Sequence, residues 1–258
     1  MAVSSERHKG QQMYLVLSHA SKRKVIGMRA GFIGAGKVGF SLGKYLAMHG
    51  IEISGYYSRS SASAKEAAEF TQSNYYASLE EITKESDTLF LTVPDGSISE
   101  IWDDIRNLPI KNKNICHCSG SIPSTVFFDA ENRGAYRYSI HPLYAISSKT
   151  TSYPDLGKAC FTIEGSDAHL AELKALFSEM GNTVVAISPD SKALYHAAAV
   201  MVSNQIVALA DMGNALLVKC GFSEAAAAEA LAPLLLGNAQ AVAEKGTIAA
   251  LTGPIERR

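Results

Sequence analysis

GFIGAGKVGFSLGKYLAMHGIEISGYYSRS, residues 31–60, decides how this chain is read. An apolar run from Arg29 to Ile33 leads into Gly34-Ala35-Gly36-Lys37-Val38-Gly39, and an amphipathic stretch and a second apolar run follow. The spacing G-x-G-x-x-G is weak by itself, because glycines are common in turns. Between a strand and a helix it gains a physical meaning: the free backbone N–H groups and the helix dipole face a pyrophosphate. Gly34 then permits the tight turn, Gly36 lets the phosphate approach, and Gly39 lets the helix pack on the strand. The stretch predicts a dinucleotide cradle.

The end of the second apolar run bears on which dinucleotide. An acid there would accept the ribose 2′-OH of NAD, yet the sequence has Ser58-Arg59-Ser60. An acid would repel a 2′-phosphate, whereas a guanidinium flanked by hydroxyls donates to it. NADP(H) is the expected cofactor; the bland alternative leaves Arg59 in a solvated loop, stacked on adenine. Farther on, Leu91-Thr92-Val93-Pro94-Asp95 must turn at Pro94, which has no N–H to extend a ladder. Val93, Pro94 and Asp95 are expected along the nicotinamide half, Asp95 either touching a ribose or capping the next helix.

Outward from the cradle, short apolar runs alternate with amphipathic stretches, the pattern of an α/β fold with a Rossmann-type, doubly wound, mainly parallel sheet. Strands are predicted at Arg29 to Ile33, Glu52 to Tyr57, Asp87 to Val93, Asn114 to Cys118, Tyr136 to Ile140, Cys160 to Glu164 and Thr183 to Ile187, with a short extra one near Tyr75. Helices are predicted near Val38 to His49, Ala62 to Phe70, Gly96 to Leu108, Pro123 to Asn132 and Ala168 to Met180. After Pro189 the strand signals vanish. An Ala- and Leu-rich stretch follows, its first helix starting at Ser188-Pro189-Asp190 and continuing to Lys219. The expected organisation is a dispensable extension over residues 1–27, a dinucleotide-binding domain over 28–188 and an all-α C-terminal domain over 189–258.

Composition limits the partners. A formal net charge of -1 and the lack of a basic stripe argue against nucleic acid and favour a small molecule. Cys116, Cys118, Cys160 and Cys220 have no zinc-site spacing, and on a strand His117 points away from Cys116 and Cys118, so no metal is expected. Reduced thiols and the lack of a convincing signal sequence point to the cytoplasm. The apolar run Ala197 to Val218 is interrupted by Asn204, Gln205, Asp211 and Asn214, and is expected to be a buried helix rather than a membrane span.

Three segments should reach the crevice beyond the carboxyl ends of the strands. Ser119-Gly120-Ser121 offers hydroxyls and N–H groups to an anionic or carbonyl substrate, although serines there are often only caps. His141, followed by Pro142, is placed to donate to a carboxylate or exchange a proton. Lys192 and His196, four apart, share a helix face, for which a solvated helix start is the bland account.

GFIGAGKVG, LFLTVPD, CHCSGSIPS, SIHPLYAIS, KALYHAAAVMVSN and LTGPIERR, in this order, resemble segments of a known group. These are NADP-dependent oxidoreductases of the 6-phosphogluconate dehydrogenase-like superfamily, specifically those with a Rossmann-like domain followed by a DUF2520 helical domain. Relatives acting on β-hydroxy acids carry a catalytic lysine on the first long helix with an asparagine four residues later; here Lys192 matches and His196 replaces the asparagine. Prephenate dehydrogenase-like relatives carry a segment similar to His141-Pro142, and related pyrroline carboxylate reductases reduce imines. The resemblance further implies a homodimer through the helical domain, and a C-terminal domain abbreviated at Arg258. The expected function is reduction of a small carbonyl or imine by NADPH, with Lys192 or His196 supplying a proton and Ser119, Ser121 and His141 orienting the substrate. The alternative is a non-catalytic NADP(H)-binding sensor or assembly module.

Overall fold

The protein is described by a computed structural model over residues 27–251. Its chain forms two compact units that divide between Ala193 and Leu194, inside a helix. The expectation for residues 1–27 falls almost wholly outside the described residues.

The first unit is built on one eight-stranded sheet: β1 (Arg29–Ile33), β2 (Glu52–Tyr57), β3 (Asn74–Tyr75), β4 (Thr88–Leu91), β5 (Asn114–His117), β6 (Tyr136–Leu143), β7 (Cys160–Gly165) and β8 (Thr183–Ala186). The order is β3-β2-β1-β4-β5-β6-β7-β8, with β6 and β7 antiparallel and every other neighbouring pair parallel. The chain runs one way from β1 through β2 to β3, then crosses to the other side of β1 at β4. That reversal opens a crevice at the carboxyl ends of β1 and β4.

Both faces of the sheet are buried, which is why its central strands read as continuous apolar runs. Phe32, Tyr56, Phe90 and Tyr138 pack on one face, while Ile33, Leu89, Leu91 and Ile115 pack on the other with Trp102 and Phe127. Alternation of side chains along each strand produces this division. The flanking helices are α1 (Lys37–Met48), α2 (Ser61–Thr71), α3 (Leu79–Glu85), α4 (Ile98–Ile105) and α5 (Leu170–Glu179).

Several expectations are corrected. The helix predicted over Pro123 to Asn132 is two 3-10 turns, Ser124–Val126 and Glu131–Arg133, because Asp129 sits at φ 59, outside the right-handed helical region. Strand β6 does not stop at Ile140 but runs through His141 and Pro142 to Leu143. Its pairing with β5 ends at Ser139, so Pro142 removes no ladder bond on that side. Helix α3 was not anticipated, although Ser78 caps it, its Oγ accepting from Glu81 N at 3.2 Å, while Glu81 Oε2 reaches back to accept from Ala77 N, just before the cap, at 2.8 Å.

In the second unit, the long helix expected to reach Lys219 breaks at Ser203, whose φ -119 and ψ -81 are non-helical. The result is α6 (Lys192–Val202) and α7 (Asn204–Lys219), followed by α8 (Glu224–Ala249). The stretch 189–219 is apolar and long enough to cross a membrane by length and composition only. It is not the buried helix expected: Val207, Leu209, Met212 and Leu216 are all exposed.

Candidate functional site

The glycine turn has the three properties its spacing predicts. Gly34 adopts φ 110, and a Cβ on it would lie 2.6 Å from the carbonyl oxygen of Thr92. A Cβ on Gly39 would lie 2.4 Å from Gly34 O and 2.6 Å from Thr92 Oγ1, so only glycine allows α1 to approach the turn. A Cβ on Gly36 would meet nothing within 4 Å; it would project into open space at the N-terminus of α1. Gly36 is the N-cap of α1 and offers no side-chain acceptor, so the first N–H groups of the helix are left for an external partner. The turn is pinned by Gly34 N donating to Tyr57 O at 2.8 Å and Thr92 Oγ1 donating to Gly34 O at 2.8 Å.

The turn opens on a crevice of about 370 Å³. Gly34, Ala35 and Gly36 line it together with Ser58, Arg59 and Ser63 from the β2–α2 connection, Val93 and Pro94 after β4, and Glu100, Ile101 and Asp104 on α4. Lys37, Val38 and Gly39 belong to the helix start behind it and do not line it. Ser60, expected beside Arg59 as a cofactor ligand, is the N-cap of α2, its Oγ accepting from Ser63 N at 3.3 Å. Sequence reasoning missed Ser63 and the α4 carboxylates; helical spacing of Glu100 and Asp104 on one face was the available signal.

Asp95 is exposed and does not cap the following turn. Its Oδ2 accepts from Ser119 Oγ and from Ser121 Oγ, both at 2.8 Å. Ser119 Oγ also accepts from Ser121 N at 3.2 Å and Ile122 N at 3.0 Å. The two serines expected to meet substrate are thereby bound into the turn after β5, and Ser119 is buried.

Lys192 departs most from its bland account, since it is buried rather than solvated, with only 2% of its surface exposed. Its Nζ donates to Ser119 O and to Ser139 Oγ, each at 2.8 Å. Burial pushes its pKa below the ordinary lysine value, opposed by Glu164, Cys118 and Asp95. It belongs to the first unit. His196, one turn further on, belongs to the second, and its Nδ1 is buried with no hydrogen-bond partner among the described residues. His141 lies within β6 opposite Thr162, two residues beyond Ser139 and on the same face.

His117, Ser139 and Glu164 are register partners across β5, β6 and β7, and all three are buried. His117 Nδ1 accepts from Ser119 N at 3.2 Å, which places the ring proton on Nε2. Burial, followed by the Lys192 ammonium, holds its pKa down at about 4. Burial also pushes the Cys118 thiol up to about 12 and raises that of Cys116, so neither is a ready thiolate. Glu164 accepts from both Ser124 N, at 2.6 Å, and Ser124 Oγ, at 2.7 Å. No sequence signal marked Glu164, Ser124 or Ser139, because sheet register pairs Ser139 with Glu164 and the turn after β5 brings Ser124 to it.

The sheet order, the switch point and the glycine turn define an α/β protein of the Rossmann class. Comparison with known families agrees: a Rossmann-like domain matches residues 17–142, and the domain of unknown function DUF2520 matches residues 159–258. The two matches fall on this chain in that order and together span most of it. It is 26% identical to a Bacteroides fragilis protein classed by inference as an NADP oxidoreductase, covering 89% of this chain and 86% of that one with a TM-score of 0.73. To a Thermotoga maritima protein it is 28% identical, over 88% and 84% of the two chains, with a TM-score of 0.71. A reductive aminase from Aspergillus terreus, solved with NADPH and ethyl-5-oxohexanoate, shares the fold at 17% identity, over 84% and 76%, with a TM-score of 0.64. No curated protein matches the sequence significantly.

Proposed function

We propose that this protein is an NADP(H)-binding reductase acting on a small carbonyl or imine. The observation that carries the reading is the open space at Gly36, at the start of α1, in a crevice that also holds Arg59 and lacks an acid at the end of β2. The N–H groups of α1 bind the pyrophosphate, and Arg59, with Ser58 and Ser63, binds a 2′-phosphate. The bound nicotinamide supplies hydride. Lys192 or His141 supplies the proton, and Ser121 orients the substrate. The Bacteroides relative and the NADPH-bound aminase support this class of cofactor.

One observation favours a second reading, a non-catalytic NADP(H)-binding module. Lys192, Ser119, Ser121 and Asp95 are engaged with one another, as in a structural network. Titration calorimetry with NADPH and NADH, on the wild type and Arg59→Ala, tests the cofactor assignment. A hydrogen bond to a charged group contributes about 1.5 to 3 kcal/mol, so Arg59→Ala weakens NADPH roughly ten- to a hundredfold and leaves NADH nearly unchanged. Equal losses for both would remove the 2′-phosphate argument. A carbonyl and imine screen followed by NADPH oxidation then separates reductase from module.

A homodimer through the helical unit belongs to the same proposal. Leu209, Met212, Leu216, Leu234 and Leu236 are exposed on α7 and α8, more apolar surface than a solvated helical pair carries.

A further inference from the structure

Glu164 is a carboxylate buried to 2% exposure on β7, and it has no cation within ion-pairing distance among the described residues. Both of its oxygens are occupied by Ser124, one by the backbone N–H and one by the hydroxyl. Ser124 opens the 3-10 turn at the end of the loop that starts at Ser119. On the neighbouring strand, Ser139 is the register partner of Glu164 and receives Lys192 Nζ through its hydroxyl. The ammonium and the carboxylate therefore lie on one sheet face, separated by a single serine.

Two buried ions of opposite sign in this arrangement have a definite consequence. Each would be costly to bury by itself, and in a medium of low dielectric their attraction acts beyond hydrogen-bond distance. The other groups facing Lys192 do less to offset its charge. His117 on β5 is neutral and itself repelled by the ammonium, His141 sits on β6, the Cys118 thiol is protonated, and Asp95 is already bound by two hydroxyls.

We propose that Glu164 is a positioning residue of this site: its carboxylate is the counter-charge of the buried Lys192 ammonium, and through Ser124 it anchors the Ser119–Ser124 loop whose carbonyl Lys192 holds. A consequence for turnover rests on the reductase reading above, but the counter-charge itself does not. The experiment is therefore made on the protonation of Lys192, without substrate or cofactor. Lysine Nζ resonances of the ¹⁵N-labelled full chain are followed against pH, with Lys192→Arg to assign the signal.

Glu164→Gln keeps an acceptor for Ser124 and removes the charge. It lowers the Lys192 titration midpoint by roughly one pH unit or more, the usual effect of removing a nearby opposite charge. Ser124→Ala keeps the charge and loosens the clasp, so it leaves that midpoint close to wild type while speeding amide exchange at Ser121 and Ile122. A Lys192 midpoint unmoved in Glu164→Gln overturns the proposal. Should that variant fail to fold, Glu164→Asp carries the test with a charge on a stem too short to hold both Ser124 bonds. Retained protonation of Lys192 with faster exchange at Ser124 supports the assignment, and lost protonation overturns it.

Discussion

Replacing Gly36 and Gly39 separately by alanine should divide binding from stability, because the two glycines face opposite environments three residues apart. At Gly36 the backbone has φ -87, which alanine adopts without strain, and the added methyl meets nothing within 4 Å. Gly→Ala at a compatible position stabilises by about 0.4 to 1 kcal/mol through the unfolded chain, and losing glycine from an N-cap costs a similar amount. The two effects offset, so folding is nearly unchanged. The methyl does occupy the approach to the first N–H groups of α1. Losing one charge-assisted bond of about 1.5 to 3 kcal/mol weakens NADPH by roughly ten- to a hundredfold. At Gly39 the methyl would lie 2.4 Å from a backbone oxygen and 2.6 Å from a hydroxyl pinned by its own bond, so α1 must shift. Overpacking of this kind costs about 1 to 3 kcal/mol. Trp102, the single tryptophan and fully buried beside Phe127, reports urea unfolding of the first unit by fluorescence. Calorimetry reports NADPH. If Gly36→Ala binds NADPH as tightly as wild type, the turn is not a pyrophosphate cradle, whatever happens at Gly39.

Three further outcomes are expected. Because His117 is held at about 4 when folded and titrates near 6.5 when unfolded, the unfolded chain binds the extra proton. Stability therefore falls as pH drops from about 6.5 towards 4, by roughly 3 kcal/mol from this group, and His117→Leu flattens that part of the urea midpoint against pH. Lys192→Met lowers turnover on an identified substrate by roughly a hundred- to ten-thousandfold if this ammonium delivers the proton, a loss far larger than any loss of NADPH affinity. Light scattering after size exclusion finds a dimer that Leu216→Asp or Leu234→Asp converts to monomer; a monomeric wild type would end the dimer proposal.

Much of the fold was legible because its signals are local. β1 and β2 lie where the apolar runs place them, bounded by the glycine turn and by the Ser60 cap. Misreadings arose where one residue's backbone or a distant strand decided the outcome. Asp129 at positive φ dismantles a plausible helix, and the departure of β5 after Ser139 lets a strand continue through Pro142. The site divides the same way. The cradle is contiguous and could be read from its spacing, whereas Lys192 meets partners 73 and 53 residues away. Neither its burial nor Glu164 could be inferred from the face it shares with His196.

Burial of Lys192 also constrains what it can do. Its ammonium holds the carbonyl of Ser119, whose N–H goes to His117 and whose hydroxyl goes to Asp95, the neighbour of the crevice-lining Pro94. Lys192 thus ties the loops after β4 and β5 to Ser139 on β6, within the unit that carries the cradle. A lysine acting only as this tie would loosen the Pro94 side of the crevice when removed, so cofactor affinity and turnover would fall together. A lysine that also gives up its proton would, when removed, depress turnover well beyond any loss of affinity, since only the chemical step needs the proton. The ratio of the two losses in Lys192→Met therefore distinguishes frame from acid, and a fall in affinity alone would favour the non-catalytic module.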